Sequence, residues 1–541
     1  MRHPDVLWRA RLGFLKASRR VILHAGACAL AWVRLPAQTQ TTVPGLGTVD
    51  FPTSGPAAAQ QEFLRGLLLL HSFEYESAET AFRRAEALAP DFAMAYWGEA
   101  MTYNHGVWNE QDLSSARSAL ARLGPTVESR RTKAPTLREQ RYLEAVEALY
   151  GEGDKPRRDT LYATVIERLV RENPADLEAK AFYALALLSL NQGIRDTVTY
   201  LRAAPWADTV FRAMPNHPGA AHYLIHSFDD PLHAARGLEA ARAYSRIAPS
   251  AAHAQHMTTH IFLALGMWDD VVSQNRIAVG LTSEVPGHYT SWLVYGMIQQ
   301  GRLAEAGDLV HRLRNSIKEG GLRPQFSALA EIRGHLLLHT RDWRSSIAGW
   351  SLNRDKMSVA GELADRFTAG LMAYARKDAA ELGVTAAGVA RLADALQTDR
   401  GPQDPVTLAG QVMARELGAM QLFMSDRREE AVRQMYEATA IEDAMPMEYG
   451  PPAILEPSHE LLGTMLLEMR PAESAREFLR ALTLAPGRTR SLAGLVRAAV
   501  ASGDKATAQR ATDQLAAIWH GADPQVKDEI PPLRRLVAAM P

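Results

Sequence analysis

A helix–turn–helix signature that recurs along the chain is the feature that most constrains its fold. Five residues fall at positions 8, 20, 24, 27 and 32 of a 34-residue unit: Gly66, Ala78, Phe82, Ala85 and Pro90. Small residues at positions 8 and 20 allow two antiparallel helices to approach closely. An aromatic ring at position 24 fills the space between the helices, and the proline ends the second one. The pattern predicts stacked helix–turn–helix units.

Parts of the same signature recur farther along the chain. Phe478, Ala481 and Pro486 repeat the second helix of the unit, and Gly266 and Gly301 are each placed to end a first helix. Proline and glycine separate apolar stretches of helical length, and runs of β-branched residues are scarce. We therefore expect an all-α fold, an α-solenoid of helix–turn–helix repeats.

These residues resemble the tetratricopeptide repeat (TPR) superfamily. The resemblance is clear at 58–106, 217–310 and 455–520, whereas 110–215 and 345–440 predict helices only. Short strings within the first two stretches are similar to those of a group of exported bacterial TPR proteins with a histidine-rich central region. The resemblance implies a fold and says little about activity, because function lies in sites carried by a fold.

The chain divides into four predicted parts. Residues 1–37 are expected to be a signal peptide and residues 38–57 a linker. A TPR solenoid with a histidine-lined groove is expected over 58–395, followed by C-terminal TPR repeats over 407–541. Glycine and proline cluster between the last two parts, which favours a break there.

The first 37 residues have the order of a secretory signal. Residues 1–20 are rich in arginine, residues 21–33 are mostly apolar, and the sequence Arg-Leu-Pro-Ala follows at 34–37. Residues 18–23 also match a twin-arginine signal. The apolar stretch is shorter than the roughly 20 residues of a membrane-spanning helix. We expect a periplasmic or extracellular protein without a transmembrane segment in its mature chain; the alternative is an uncleaved amphipathic tail.

Composition removes several classes of function. Lysine and arginine total 60 against 61 aspartates and glutamates, and this balance argues against nucleic acid as a partner. The one cysteine, Cys28, lies in the predicted signal, which disfavours disulfides and thiolate-bound metals. The chain has no phosphate-binding loop, dinucleotide fingerprint, serine-nucleophile elbow or His-Glu-x-x-His motif. Nucleotide enzymes, serine hydrolases and the zinc proteases of that motif are disfavoured.

Histidine is concentrated in one region and follows the repeat. Eight of the 17 histidines lie between residues 217 and 288. His222 and His226 are four residues apart, as are His256 and His260, so each pair shares one helix face. The two pairs are one repeat length apart and therefore occupy equivalent positions in consecutive units.

His253 and His288 fall at position 2 of their units, and the two pairs fall at positions 5 and 9. In the TPR superfamily these positions line the concave groove, so the resemblance implies that these histidines face it. The predicted metal ligands are His222, His226, His253, His256, His260 and His288. Further groove residues are expected among five other histidines: His71, His105, His217, His335 and His339. His71 and His105 are also one repeat length apart. His335 and His339 share a helix face with Glu331.

Imidazoles from adjacent first helices could meet at one ion, since packed helices lie about 8–10 Å apart. Neutral imidazole binds zinc, copper and iron, and all three stay open. Iron would favour an added carboxylate, for which Asp229 and Glu331 are candidates. The alternative interpretation is that the rings are solvated or bind peptide carboxylates. Tyr289 is a further candidate groove residue, and the segment 448–457 is either a linker or a lid over the groove.

Three functions remain open at this point. The first is an exported binding protein whose groove holds a transition metal ion and presents it, or a peptide, to a protein partner. The second is a metal-dependent enzyme, a hydrolase or an oxidoreductase, that acts on a small molecule and uses His253 or Glu331 in proton transfer. The third is a metal-free scaffold that binds peptides through the same histidines.

Overall fold

Helices dominate the part of the chain that the computed structural model describes, which is residues 40–541 without residues 193, 319 and 448. The predicted signal peptide, residues 1–37, lies outside the described residues. The helices before the histidine-rich region are α1 (Ala57–His71), α2 (Tyr75–Leu88), α3 (Ala93–Met101), α4 (Leu113–Leu123), α5 (Val127–Arg131), α6 (Leu137–Leu149), α7 (Lys155–Glu172), α8 (Leu177–Leu188) and α9 (Thr197–Ala213).

The histidine-rich region and the C-terminal part continue the same architecture. The central helices are α10 (Pro218–Phe228), α11 (Ala234–Ile247), α12 (Ala252–Ala264), α13 (Trp268–Leu281), α14 (His288–Gln299), α15 (Leu303–Ser316) and α16 (Arg323–Thr340). The C-terminal helices are α17 (Val359–Ala375), α18 (Ala379–Arg400), α19 (Pro405–Met424), α20 (Arg428–Ala444), α21 (Ser458–Leu466), α22 (Pro471–Leu484), α23 (Thr489–Ser502), α24 (Lys505–Ile518), α25 (Pro524–Lys527) and α26 (Ile530–Ala538).

Two short antiparallel hairpins accompany the helices. Strands β1 (Thr41–Val43) and β2 (Gly47–Val49) form the first, and β3 (Asn104–His105) and β4 (Glu110–Gln111) form the second. The first hairpin belongs to the segment predicted as a linker. It is attached to the helical body, because Thr48 N–H donates to Asn216 O at 2.9 Å and Ser250 N–H donates to Gly45 O at 3.1 Å.

The helices pack as the repeat signature predicts. Most of the helices pack against the next helix along the chain, and several also contact the next but one. The Phe82 ring packs directly against Gly66 and Gly98. A Cβ atom added to Gly66 would lie only 2.8 Å from the ring, and one added to Gly98 would overlap it. Phe478 fills the same kind of slot between Gly463 and Gly494 near the other end. The prediction of an all-α, TPR-type solenoid is confirmed.

Glycine ends the first helix of two central units. Gly266 and Gly301 follow α12 and α14 with φ of +69°, a backbone region that costs glycine no steric strain. Met267 N–H then donates to Phe262 O at 2.8 Å, and Gly266 N–H donates to Leu263 O at 2.9 Å. These two bonds satisfy carbonyls at the end of α12 and start the turn into α13.

The C-terminal helices also pack against the centre. Trp268 Nε1 donates to Gly487 O at 2.9 Å, and Trp519 Nε1 donates to Gln299 O at 3.1 Å. The predicted break near residue 400 falls at the turn between α18 and α19, and these two helices pack against each other. None of the described helices is both long enough and apolar enough to span a membrane.

Candidate metal centre

Three first helices of consecutive units bring the six predicted ligands together. Helix α10 carries His222 and His226, α12 carries His253, His256 and His260, and α14 begins at His288. The six form two groups in which one ligand atom from each residue lies within 4.8 Å of the others. We name His222, His226 and His253 the first triad, and His256, His260 and His288 the second triad.

The first triad is buried and has unsatisfied nitrogens. The ring of His222 lies 4.9 Å from that of His226 and 5.1 Å from that of His253, centroid to centroid. Nδ1 of His222 donates to the backbone carbonyl of His71 at 2.8 Å, which leaves Nε2 with a lone pair. Among the described residues, Nε2 of His222, Nε2 of His253 and both nitrogens of His226 have no hydrogen-bond partner. Each buried polar group without a partner lowers the stability of the folded state by about 1–3 kcal/mol, so a ligand that bound these nitrogens would stabilise the cluster.

The second triad is arranged in the same manner and reaches the surface. Nδ1 of His256 lies 2.8 Å from Asn275 Oδ1, a pure acceptor, so Nδ1 carries the proton. Its Nε2 then faces His260 Nε2 at 3.2 Å. The His288 ring centroid is 4.4 Å from that of His256, and His288 itself is exposed. The second triad therefore forms the accessible side of the centre.

Asp229 lies between the two triads. Its Oδ2 is 3.2 Å from Nδ1 of His260 and 3.4 Å from Nδ1 of His226, and its Oδ1 accepts from Arg195 Nε at 3.1 Å. Burial raises the pKa of Asp229, but His226, His260 and Arg195 together hold it well below the usual value. The ionised carboxylate is hydrogen-bonded to Nδ1 of His260, and its charge also favours a proton on Nδ1 of His226, so that both Nε2 atoms are left to act as ligands. Asp229 also forms a close group with His226 and His260 that could itself hold an ion.

Burial favours the neutral form of four histidines of the centre. Burial lowers the pKa of His222, His253 and His256 well below the usual value, and neighbouring imidazoles lower it further. Burial also lowers the pKa of His260, although Asp229 opposes this shift. Neutral imidazole is the form that binds a metal ion, so the lowered pKa values of these four histidines favour metal binding.

Aromatic rings enclose the triads. Phe73 lies 4.2 Å from His222, Trp292 is stacked on His260 at 4.5 Å, and Tyr289 is 4.8 Å from His256, centroid to centroid. Tyr449, from the segment predicted as a linker or lid, lies 4.6 Å from His260. The rings keep water from the buried side of the centre and lower its local dielectric constant.

A third cluster of ligand-type side chains lies beside the first triad. His71 and His217 direct Nε2 to the two oxygens of Glu178 at 2.9 and 3.1 Å. Nδ1 of His71 is 2.9 Å from the Tyr223 hydroxyl, and Nδ1 of His217 accepts from Ala220 N–H at 3.0 Å, which caps α10. In this glutamate cluster (His71, Glu178 and His217) every ring nitrogen has a partner. His71 and His217 are therefore not part of the triads.

His105 is separated from His71 although the two lie one repeat length apart in the sequence. Helix α3 ends at Met101, so His105 lies on strand β3, and its ring stacks on Tyr75 at 3.9 Å. His71 is the last residue of α1 and is fully buried. The equal spacing does not place the two rings in equivalent positions, because the third helix stops before reaching His105.

The remaining predicted residues lie on α16, away from the triads. The His335 ring is 5.1 Å from Tyr295, and Nε2 of His339 is 3.1 Å from Gln299 Nε2. Burial raises the pKa of Glu331 to about 7. Within the described part of the chain, no hydrogen bond or ion pair joins these residues to the six histidines.

Sequence reasoning missed the residues that orient the rings. Glu178, Arg195 and Asn275 come from α8, a loop and α13, and none of them lies at a repeat spacing from a histidine. Asp229 was predicted as a ligand candidate, and the structure adds its contact with two ring nitrogens. Only the packing of distant segments identifies such partners.

Comparisons with known proteins found no relative by sequence and only distant resemblance among solved structures. No family model matches the chain, and no curated protein matches it. Among solved structures, yeast Tom70 is 11% identical over 89% of this chain and 95% of its own, with a TM-score of 0.28. The TPR domain of P58(IPK) is 12% identical over 89% and 99%, with a TM-score of 0.19.

A human IFIT1 dimer with m7Gppp-AAAA is 14% identical over 87% of this chain and 92% of that one, with a TM-score of 0.33. These TM-scores are low. The assignment of the fold therefore depends on the helix pairs and glycine slots described above, and the function depends on the histidine centre.

Proposed function

We propose that this protein is an exported TPR-type binding protein whose histidine centre holds a transition metal ion. The observation that carries the proposal is the first triad. Three buried imidazoles present Nε2 atoms that have no partner among the described residues, whereas Nδ1 of His222 is held by a backbone carbonyl and Nδ1 of His226 faces a carboxylate. A bound ion would satisfy all three nitrogens at once.

The surroundings of the triads are those expected around metal-binding histidines. Such histidines usually donate the second ring N–H to a carboxylate, a backbone carbonyl or another acceptor, which fixes the tautomer and the ring orientation. Here these acceptors are Asp229, the carbonyl of His71 and Asn275. They come from three separate segments, so the orientation of the rings is built into the fold.

Metal analysis of the untagged full chain tests this proposal. Bound copper, zinc and iron are measured by mass spectrometry after purification and after reconstitution, and we expect at least one ion per chain. The variant His222→Ala/His253→Ala should lose the ion of the first triad because two of its three ligands are gone.

His335→Ala is the matched control. His335 is also buried and has an unpartnered Nδ1 among the described residues, but it belongs to no group of three ligands. Its metal content should equal that of the unmodified chain. An unmodified chain that binds no metal even after reconstitution would overturn the proposal and favour the metal-free peptide-binding scaffold.

A metal-dependent enzyme is the second candidate. It is supported by the number of ligands, since three histidines leave one position open on a four-coordinate ion, as in catalytic sites. The exposure of His288 provides access from solvent. Azide added to the copper- or cobalt-loaded protein should shift its absorption spectrum if a position is open. An unchanged spectrum would contradict the enzyme and leave metal binding alone.

Export is part of the proposal and has its own test. The support is the order of residues 1–37, with a basic region, an apolar stretch and a Pro-Ala sequence at its end. Expression in a bacterial host followed by fractionation should place the protein in the periplasm, with an N-terminus near residue 38. A full-length protein found in the cytoplasm would contradict this part alone.

A further inference from the structure

We infer that the two triads hold a pair of copper ions that are linked through Asp229. This inference depends on the proposed function and goes beyond it in the number of ions, their identity and the residue that couples them. The starting observation is that the triads adjoin. The ring centroids of His226 and His260 are 5.9 Å apart, and those of His253 and His256 are 6.3 Å apart.

The two triads are built from the same combination of residues on successive helices. Each triad combines a His-x-x-x-His pair from one first helix with a histidine from the start of the next first helix: His253 joins the pair of α10, and His288 joins the pair of α12. Each three-histidine site therefore takes its ligands from two successive repeats, and three successive repeats supply both sites. The second site repeats the arrangement of the first one repeat farther along the solenoid.

Asp229 is the physical link between the sites. A single oxygen, Oδ2, faces Nδ1 of His226 in the first triad and Nδ1 of His260 in the second. Partners of this kind change metal affinity by about 10–100-fold when they are removed. Because one carboxylate orients a ligand in each triad, its loss must weaken both sites together.

The charge of the centre favours copper. Imidazole side chains bring no negative charge, and the one carboxylate that contacts both triads among the described residues is already paired with Arg195. The cost of burying an ion rises with the square of its charge, so two divalent ions are much costlier here than two monovalent ones. Copper is the imidazole-binding transition metal that proteins also hold as a monovalent ion, whereas iron favours direct carboxylate ligands.

The test uses the full chain, loaded with Cu(I) under reducing, anaerobic conditions in the presence of an equal concentration of Zn(II). We expect two copper ions per chain. Asp229→Asn should weaken both sites by about 10–100-fold, because the neutral amide lacks the negative charge that faces Nδ1 of His226 and Nδ1 of His260.

Asp230→Asn is the matched control. Asp230 is equally buried and also pairs with Arg195, at 3.0 Å, but its histidine contact is to His233 outside the triads. Both sites should keep their affinity in this variant. A weakening at both sites in Asp230→Asn equal to that in Asp229→Asn would overturn the role given to Asp229.

His288→Ala keeps the inference testable if the Asp229 variant fails to fold, since His288 is exposed. This variant should bind one copper ion. After oxidation, the electron paramagnetic resonance spectrum of the unmodified protein should be broadened by the neighbouring Cu(II) spin, and that of His288→Ala should be narrow.

The remaining outcomes distinguish a failure of the linked copper pair from a failure of metal binding itself. Saturation at one copper ion per chain, or an Asp229→Asn variant that weakens at most one site, would overturn the linked pair and leave a single metal site intact. Occupation of both sites by zinc in the competition would overturn copper. A chain that binds no metal would overturn the proposed function itself.

Discussion

Two buried clusters of ligand-type side chains lie side by side in this protein and differ in one respect. In the glutamate cluster of His71, Glu178 and His217, every ring nitrogen has a hydrogen-bond partner. In the first triad, three Nε2 atoms have none among the described residues. The clusters even touch, because His222 donates to the carbonyl of His71. Both satisfy the same distance criterion for metal binding.

The comparison teaches that ligand type and distance do not by themselves define a metal site. In the glutamate cluster the carboxylate of Glu178 accepts two N–H groups and is ionised. Burial raises the pKa of Glu178, but the two histidines lower it by more, so the pKa lies below its usual value. The side chains thereby satisfy one another, and the cluster joins α1, α8 and the start of α10. The first triad has no such internal partner, and its free lone pairs are what a metal ion would use.

The largest expected effect comes from breaking the glutamate cluster. Glu178→Ala leaves two buried N–H donors without an acceptor, at about 1–3 kcal/mol each, so the free energy of unfolding should fall by about 2–6 kcal/mol. Urea unfolding monitored by circular dichroism measures this loss. Metal bound per folded chain should stay the same, because neither triad loses a ligand.

Glu416→Ala is the matched control for that variant. Glu416 is also fully buried, but neither of its oxygens has a hydrogen-bond partner within the described residues. Burial and neighbouring carboxylates raise its pKa well above the usual value, so it is uncharged. Equal losses of stability in the two variants would mean that the hydrogen bonds of Glu178 contribute nothing.

The next effect comes from filling the first triad. A ligand that binds only the folded state, at a free concentration 100-fold above its Kd, stabilises that state by about 2.7 kcal/mol. Reconstituted metal should therefore raise the unfolding free energy by about this amount, and a chelator should reverse the gain. In His222→Ala/His253→Ala the gain from the first site should disappear, whereas Glu178→Ala should retain it.

An effect of similar size, spread over two pH units, isolates the cost of burying one imidazole that belongs to neither triad. Burial, with a contribution from Arg488, lowers the pKa of His335 to about 3. The unfolded chain takes up a proton near pH 6.5 and the folded chain does not, so this stability is complete above pH 6.5 and is lost as the pH falls toward 3. His335→Leu should reduce the pH dependence of stability by about 1.4 kcal/mol per pH unit between pH 6 and 4.

The pH series is measured by urea unfolding of the metal-free protein. His520→Leu, at an exposed histidine, serves as the comparison variant and should follow the unmodified chain. An identical pH dependence in the His335 variant and the unmodified chain would show that His335 is protonated in the folded state.

The smallest effect is expected in the metal-free first triad. Neither ring nitrogen of His226 has a hydrogen-bond partner in the described part of the chain, although Asp229 lies 3.4 Å away. Replacing an unpartnered polar group by an apolar one of similar size is close to neutral. His226→Leu should change the unfolding free energy by less than about 1 kcal/mol and still abolish metal binding at the first triad. A loss as large as that of Glu178→Ala would contradict the distinction between the clusters.

The fold and the clustering of the six histidines were predictable from local patterns. The spacing of Gly66 and Phe82 encodes a close helix pair, and the spacing of His222 and His256 places two rings at equivalent points of successive units. These inferences succeed for two reasons. Residues four apart lie on the same face of a helix, and residues one repeat length apart lie at equivalent positions of neighbouring units in the stack. His71 and His105 show the limit, since the same interval fails where α3 ends early.

The sequence by itself determined the solenoid and the shared face of the histidines, because both follow from short-range helix geometry. Only the tertiary structure decided which ring nitrogens are left without partners. That outcome depends on Glu178, Asp229 and Asn275, whose approach to the rings depends on the packing of separate segments. A hydrogen bond forms over about 3 Å, so side chains distant in sequence decide whether a histidine cluster is satisfied or keeps ring nitrogens free for a ligand.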